Sequence, residues 1–335
     1  MASPPEALAE GPLAIVTGGN TGIGFHVAGQ LAQRGYTVIL ACRSEERARG
    51  AIEDLHKQYG ADVKVFFRQL DLASFASARA FATELLSAGH SGGLKVLVCN
   101  AGLNGASAPK EPEHQLTEDK VDLIFQTNFL SHFLLTVLLL PMLRAASGRV
   151  VNVSSSMHRS GAISELSLTR KVRDPYQSLY CFSKLAQIAM NFELHQRCQD
   201  VAFHCVNPGG VASDIWRNYP SWQQWLFPVM MARPGRAAST IVHACICEEG
   251  AAPSAPMYWN GYLGASRLEV FENWSPWSAG MRLVPSKPSD AARSSEFARQ
   301  LWDESCAALD SAGFMFDLSE VSLPDTGKEQ GTTDK

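Results

Sequence analysis

Thr17-Gly18-Gly19-Asn20-Thr21-Gly22-Ile23-Gly24 is the stretch on which the reading of this chain turns. It follows the apolar run Leu13-Ala14-Ile15-Val16 and precedes a segment carrying Val27, Ala28, Leu31 and Ala32 on one side. A buried strand, a glycine turn and a helix in that order let the backbone approach a ligand closely at the helix N-terminus. Free N–H groups and the helix dipole there favour an anion such as a pyrophosphate. The spacing is Gly-x-x-x-Gly-x-Gly, and taken alone it suits a ligand-free strand–helix turn equally well.

Outward from this turn the same cycle repeats. Thr37-Val38-Ile39-Leu40-Ala41 reads as the second strand. Helix 45–59, strand 63–69, helix 74–87 and strand 95–99 follow, then a long helix near 117–144, strand 149–154, helix 178–197 and strand 201–206. Continuous apolar strands alternating with helices predict a parallel sheet covered on both faces. With right-handed crossovers this is an α/β doubly wound sheet of Rossmann type, in a single domain. Three stretches interrupt the rhythm: a loop at 103–116, a polar insertion at 156–177, and residues 212–234. The layout expected is an N-terminal arm at 1–11, one domain over 12–316 and a disordered polar tail at 317–335.

Composition narrows the function classes. The 335 residues carry a net charge of −4, which gives no electrostatic case for nucleic acid. Eight cysteines are scattered without zinc-like or Cys-x-x-Cys spacing, so no metal site is expected and the thiols read as free and buried in a reducing compartment. The start of the chain, with Pro4, Pro5, Glu6 and Glu10, does not resemble a secretory signal. The most apolar run, Phe133 to Leu143, is well short of the roughly 20 residues needed to cross a bilayer. A soluble, cytoplasmic chain is expected, with peripheral membrane contact left open.

Chemistry enters with Ser155 and, twenty-five residues later, Tyr180-Cys181-Phe182-Ser183-Lys184. Tyr180 and Lys184 lie one helical turn apart and project from one face. A free phenol titrates near 10, so it is a poor base at neutral pH; lowering that by about three units takes about 4 kcal/mol, which a nearby ammonium in a partly dry site can supply. Ser155, after Val151-Asn152-Val153-Ser154, is placed to hydrogen-bond a substrate oxygen. Asn128 sits in an apolar helix and needs partners. A water-mediated proton relay to Lys184 would supply them, and so would a structural helix–sheet hydrogen bond. His132 and His158 read as satisfied structural histidines.

Arg43 lies about 20 residues beyond the glycine turn, where a dinucleotide ribose sits in such folds. No carboxylate stands at that strand end, which points to NADP(H) over NAD(H). Asp71 is placed either to accept from an adenine amine or to cap the next helix.

With these residues in view, the chain resembles the short-chain dehydrogenase/reductase family over roughly residues 12–310. The matching positions are the turn at 17–24, Asn100-Ala101-Gly102, Asn128, Ser155, Tyr180 with Lys184, and Pro208-Gly209. Leu40-Ala41-Cys42-Arg43, Val151-Asn152-Val153-Ser154-Ser155, Tyr180-Cys181-Phe182-Ser183-Lys184 and Leu301-Trp302-Asp303-Glu304-Ser305-Cys306 are similar to the branch of retinol dehydrogenases and the WW-domain oxidoreductase. Cys99 stands where the family usually has Asn.

The resemblance implies a catalytic set of Asn128, Ser155, Tyr180 and Lys184. It implies a cofactor surface of Gly18, Asn20, Thr21, Gly22, Ile23, Gly24, Arg43, Ser44, Asp71, Leu72, Asn100, Ala101, Gly102, Tyr180, Lys184, Pro208, Gly209, Val211 and Ser213. It also implies a homodimer built from helices 117–144 and 178–197. The activity expected is NADP(H)-dependent hydride transfer to or from a small apolar carbonyl or alcohol substrate of retinoid, steroid or lipid-aldehyde type. The aromatic stretch 212–234, with Trp216, Trp222 and Trp225, is expected to form a substrate lid. A cofactor-binding scaffold that serves protein partners is the alternative, and an intact catalytic set argues against it.

Overall fold

Seven strands of almost uninterrupted apolar sequence pair in parallel: β1 (Leu13–Thr17), β2 (Thr37–Cys42), β3 (Val65–Gln69), β4 (Leu94–Cys99), β5 (Arg149–Val153), β6 (Ala202–Asn207) and β7 (Met257–Asn260). A two-residue β8 (Val284–Pro285) adds antiparallel to β7, giving the order β3-β2-β1-β4-β5-β6-β7-β8. The computed structural model describes residues 11–104, 116–161, 177–211, 232–248, 256–260 and 284–314. Every residue of β1, β2, β5 and β6 is buried, because helices cover both faces and no strand needs a polar side.

One face carries α1 (Gly22–Ala32), α2 (Glu45–Tyr59) and, after the sixth strand, α8 (Pro234–Ile246), packed through Val27, Leu31, Leu55 and Ile241. The other face carries α3 (Phe75–Ala88), α5 (Ser131–Leu138) and α7 (Gln177–Arg197), packed through Phe75, Leu85, Phe133, Leu185 and Leu194. The strand order reverses between β1 and β4. Chain connections therefore diverge beyond the carboxyl ends of those strands and leave a crevice there.

The long helix expected at 117–144 is broken. Residues 117–121 form a tight turn in which Thr117 N–H donates to Val121 O and Lys120 takes φ 61°. Asp122 then caps α4 (Leu123–Phe125) by accepting from Ile124 N and Phe125 N at 2.8 and 3.0 Å. A π-helical turn, Gln126–Leu130, connects to α5, and a further break at Leu139 precedes α6 (Leu140–Ala145), where Pro141 occupies a first-turn position. Apolar periodicity made the run look continuous; a side-chain cap and a proline divide it. At the third strand Ser74, not Asp71, caps the following helix, through Ser77 N.

The outer side of α7 is covered by a helix from the far end of the chain. Helix α9 (Ser295–Ser311) lies along it: Trp302 packs edge-on to Phe133 and under the Arg197 guanidinium, and Phe297 packs against Phe182. Helix α7 is consequently buried over most of its circumference, with the sheet inside and α9 outside.

All eight cysteines are free, and all but Cys306 are buried. Burial raises the thiols of Cys42, Cys198 and Cys306 to about 11 and of Cys99 to about 12, and pushes Cys205 and Cys245 higher still. A thiol raised on folding contributes stability that is fully present below its unfolded value of about 8.5 and is lost as pH climbs toward the folded one. Each such group costs about 1.4 kcal/mol per pH unit in that window. Lys184, lowered on folding to about 8, acts in the opposite sense, but as one group against six. The urea midpoint should therefore drop steeply between about pH 8.5 and 10. An unchanged midpoint would show that these thiols are not buried in solution.

Candidate active site

The glycine turn is shaped by backbone conformation and by crowding. Gly18 and Gly22 hold φ of 62° and 57°, in the left-handed region that favours glycine. A Cβ at Gly24 would lie 2.5 Å from Asn100 Nδ2 and 2.6 Å from Gly18 O, so nothing larger fits where α1 meets the turn. Thr21 precedes α1 without a side-chain cap, which leaves the first-turn N–H groups of an eleven-residue helix directed at the crevice. This is a cradle with the polarity and closeness that a dinucleotide pyrophosphate requires.

Thr17 fastens the cradle to the neighbouring strand ends. Its hydroxyl accepts from Asn100 N at 2.9 Å and Ala101 N at 3.0 Å, while Asn100 Nδ2 donates to Thr17 O at 2.9 Å. Fully buried His132 completes the knot. Its Nδ1 faces Asn128 O at 3.0 Å and must donate; its Nε2 then accepts from the Thr17 hydroxyl at 2.9 Å. Burial lowers this histidine to about 4, so it stays neutral, a structural group as expected.

Asn128, on the π turn, is completely engaged. Its Oδ1 accepts from Leu103 N at 2.7 Å, and its Nδ2 donates to Leu103 O at 2.9 Å and Ser183 Oγ at 3.0 Å. Ser183 in turn donates to Tyr180 O at 2.8 Å. The Asn128 carbonyl accepts from Gln187 Nε2 at 2.9 Å, and Gln187 Oε1 accepts from Lys184 Nζ at 3.2 Å. Gln187 thus spans Lys184 and Asn128, a bridge that sequence reasoning missed. Its only local trace is the i, i+3 spacing from Lys184.

Lys184 is 4% exposed and lies 2.7 Å from Val153 O, so two of its three N–H groups are held by protein acceptors. Burial lowers its ammonium to about 8. The Tyr180 ring centroid is 5.6 Å from Nζ. Ser154 Oγ donates to Lys184 O at 3.0 Å, which locks the end of β5 to α7 and so fixes Ser155 relative to Lys184.

These groups meet in a cavity of about 640 Å³ at the carboxyl ends of the strands. Its wall includes Gly18, Asn20, Thr21, Gly22, Ile23, Arg43, Ser44, Asp71, Leu72, Asn100, Ala101, Gly102, Ser155, Tyr180, Lys184, Pro208, Gly209 and Val211. Of the expected set, Gly24 and Asn128 lie behind this wall, and Ser213 lies outside the described residues. Sequence reasoning missed Arg47, which lines the same end as Arg43. Ser44 caps α2 through Arg47 N, and Asp71 Oδ1 accepts from Ala73 N at 3.0 Å. The glycine cradle, the buried lysine and the phenol on one wall fit a nicotinamide dinucleotide, whose ring would supply or take a hydride.

A doubly wound sheet with a glycine cradle at β1 and a Ser/Tyr/Lys wall beyond β5 defines an oxidoreductase of the dinucleotide-binding class. The family model for short chain dehydrogenases matches residues 12–224. The chain is 38% identical over 300 residues to Dehydrogenase/reductase SDR family member 13 of Bos taurus, covering 85% of this chain and 76% of that protein. It is 34% identical over 304 residues to Retinol dehydrogenase 11 of Homo sapiens, covering 89% and 86%. An alcohol dehydrogenase from Thermococcus sibiricus, solved with 5-hydroxy-NADP, shares the fold at a TM-score of 0.56 and 23% identity, covering 74% of this chain and 96% of that one. The chain belongs to the short-chain dehydrogenase/reductase family, in its retinol dehydrogenase branch.

Proposed function

We propose that this oxidoreductase transfers a hydride between NADP(H) and the carbonyl or alcohol carbon of an apolar substrate of retinoid, steroid or lipid-aldehyde type. The observation that carries the reading is the meeting of Ser155, Tyr180 and Lys184 with the glycine cradle on one cavity wall. Tyr180 gives or takes the proton at the substrate oxygen, and Ser155 Oγ donates a hydrogen bond to that oxygen. Lys184 keeps one N–H for the cavity while Val153 O and Gln187 hold the others. Asn128 serves as a buried anchor for Leu103 and Ser183. Gln187, an amide, cannot pass a proton onward, so exchange with solvent runs along the cavity side of Lys184.

Phosphate preference rests on charge. Arg43 and Arg47 both line the ribose end, and the nearby Glu45 carboxylate is taken by Arg49 at 2.6 Å. A guanidinium–phosphate contact contributes about 1.5–3 kcal/mol. Arg43→Asp should therefore weaken NADPH binding roughly 10- to 100-fold and leave NADH binding unchanged or better. A wild-type protein that binds NADH more tightly than NADPH would remove this part of the reading. The apolar substrate class follows the retinol dehydrogenase relatives and the Trp and Met content of 212–234. Apart from Ala232, Arg233 and Pro234, that lid lies outside the described residues; Pro234 opens α8. Among the described residues no helix is long and apolar enough to cross a membrane. The free cysteines suit a reducing location, in the cytoplasm or at a membrane surface facing it.

A further inference from the structure

We infer that His158 is a positioning residue for Ser155, holding the Ser155 carbonyl with one ring nitrogen and anchoring Ser289 with the other. The inference rests on the reading of Ser155 as the group that orients the substrate oxygen.

The chain leaves β5 at Val153 and turns through a 3₁₀ segment, Ser156–Ser160, that Ser155 caps by accepting from Met157 N at 3.2 Å. His158 is fully buried under this turn. Its backbone N–H donates to Ser155 O at 3.1 Å, and its Nδ1 lies 2.7 Å from the same oxygen. A carbonyl only accepts, so Nδ1 carries a proton. On the far side Ser289 N lies 3.2 Å from Nε2. A backbone N–H only donates, so Nε2 is bare. The two partners therefore select a single neutral tautomer, and burial, which lowers this imidazole, agrees with it.

The anchored segment has two further ties. Arg159 Nη2 donates to Lys287 O at 3.0 Å, and Ser286 N donates to Tyr258 O at 2.8 Å, while the Tyr258 ring packs edge-on against His158 at 5.3 Å. A buried ring that only filled space would be served as well by an aromatic without nitrogens. Here both nitrogens are matched to groups of fixed polarity on opposite sides. Because the Ser155 peptide also carries the side chain on the cavity wall, a rotation of that peptide displaces Oγ. Misplacement of a reacting group by about 1 Å lowers rates about 10²-fold.

Asparagine places its amide nitrogen near the position of Nδ1, and glutamine places its amide oxygen near that of Nε2. His158→Asn should hold kcat within about threefold while the amides around Ser289 exchange hydrogen at least about tenfold faster. His158→Gln should keep Ser289 protected and lose kcat about 10- to 100-fold, with NADPH affinity unchanged. His158→Phe, which keeps the ring packing, should show both losses. Exchange is read by mass spectrometry on the cofactor-free protein, and kcat, KM and NADPH binding are read separately. The inference is overturned if the three variants lose turnover alike, or if none loses it. Ser155→Ala tests the underlying reading: turnover that survives it removes the role of Ser155, whatever the exchange data show.

Discussion

Tyr180→Phe is expected to lower turnover by about 10²–10⁴-fold, the range typical of lost acid–base catalysis, while the dinucleotide still binds. The substitution keeps the ring that packs 5.6 Å from Lys184 Nζ, so the surroundings of the lysine persist and only the titrating hydroxyl goes. Among the described residues no histidine lines the cavity beside it. His132 and His158 are both neutral, buried and committed to structural partners. Comparing kcat with NADPH affinity in the same preparation separates this effect from a misfolded site. Near-normal turnover in the Phe protein would eliminate Tyr180 as the proton donor and acceptor.

Lys184→Met is the second large effect. It removes the buried cation beside Tyr180 and leaves Val153 O and Gln187 Oε1 without their donor. Each orphaned acceptor costs about 1–3 kcal/mol. Against this, the burial that lowers the ammonium to about 8 corresponds to an opposing penalty on the order of 3 kcal/mol, so global stability should change little. Function should not be spared. Loss of a preorganised electrostatic donor lowers kcat about 10²–10³-fold. The pH dependence gives a second check. In the cofactor-free wild type the ammonium is present below about pH 8 and lost above it, so affinity for the anionic dinucleotide should decline as pH rises past 8. The Met variant should lack that decline. Identical pH profiles in the two proteins would show that Lys184 does not carry the charge assigned to it.

How much of this was legible in advance depended on whether a feature was local. The glycine turn, Tyr180 and Lys184 were readable because strand ends and one-turn spacing place them without knowledge of the packing. Gln187 was not. Its role depends on Asn128, fifty-nine residues away across the helix layer. The same holds for Thr17 and His132, 115 residues apart. The helix expected at 117–144 failed for a different reason: apolar periodicity continues through a π turn and a proline break, because both neighbouring segments still face the core. Strands β7 and β8 and helices α8 and α9 lie beyond the regular rhythm, and short edge strands carry little pattern of their own. The cover that α9 lays over α7 was not legible either, because that helix comes from the far end of the chain. The N-terminal arm apart from Gly11, most of the insertion at 156–177 and the tail at 317–335 fall outside the described residues.

We propose that one cavity binds NADP(H) and performs hydride transfer with Tyr180 as acid and base. The most direct test follows reduced-nicotinamide absorbance when the purified protein meets NADPH and a panel of retinoid, steroid and long-chain aldehydes and ketones. Turnover of at least one of these is expected, falling by about 10²-fold or more in Tyr180→Phe. Tight NADPH binding with no turnover above that of the Phe variant, across the whole panel, would contradict it and leave a cofactor-binding scaffold in its place.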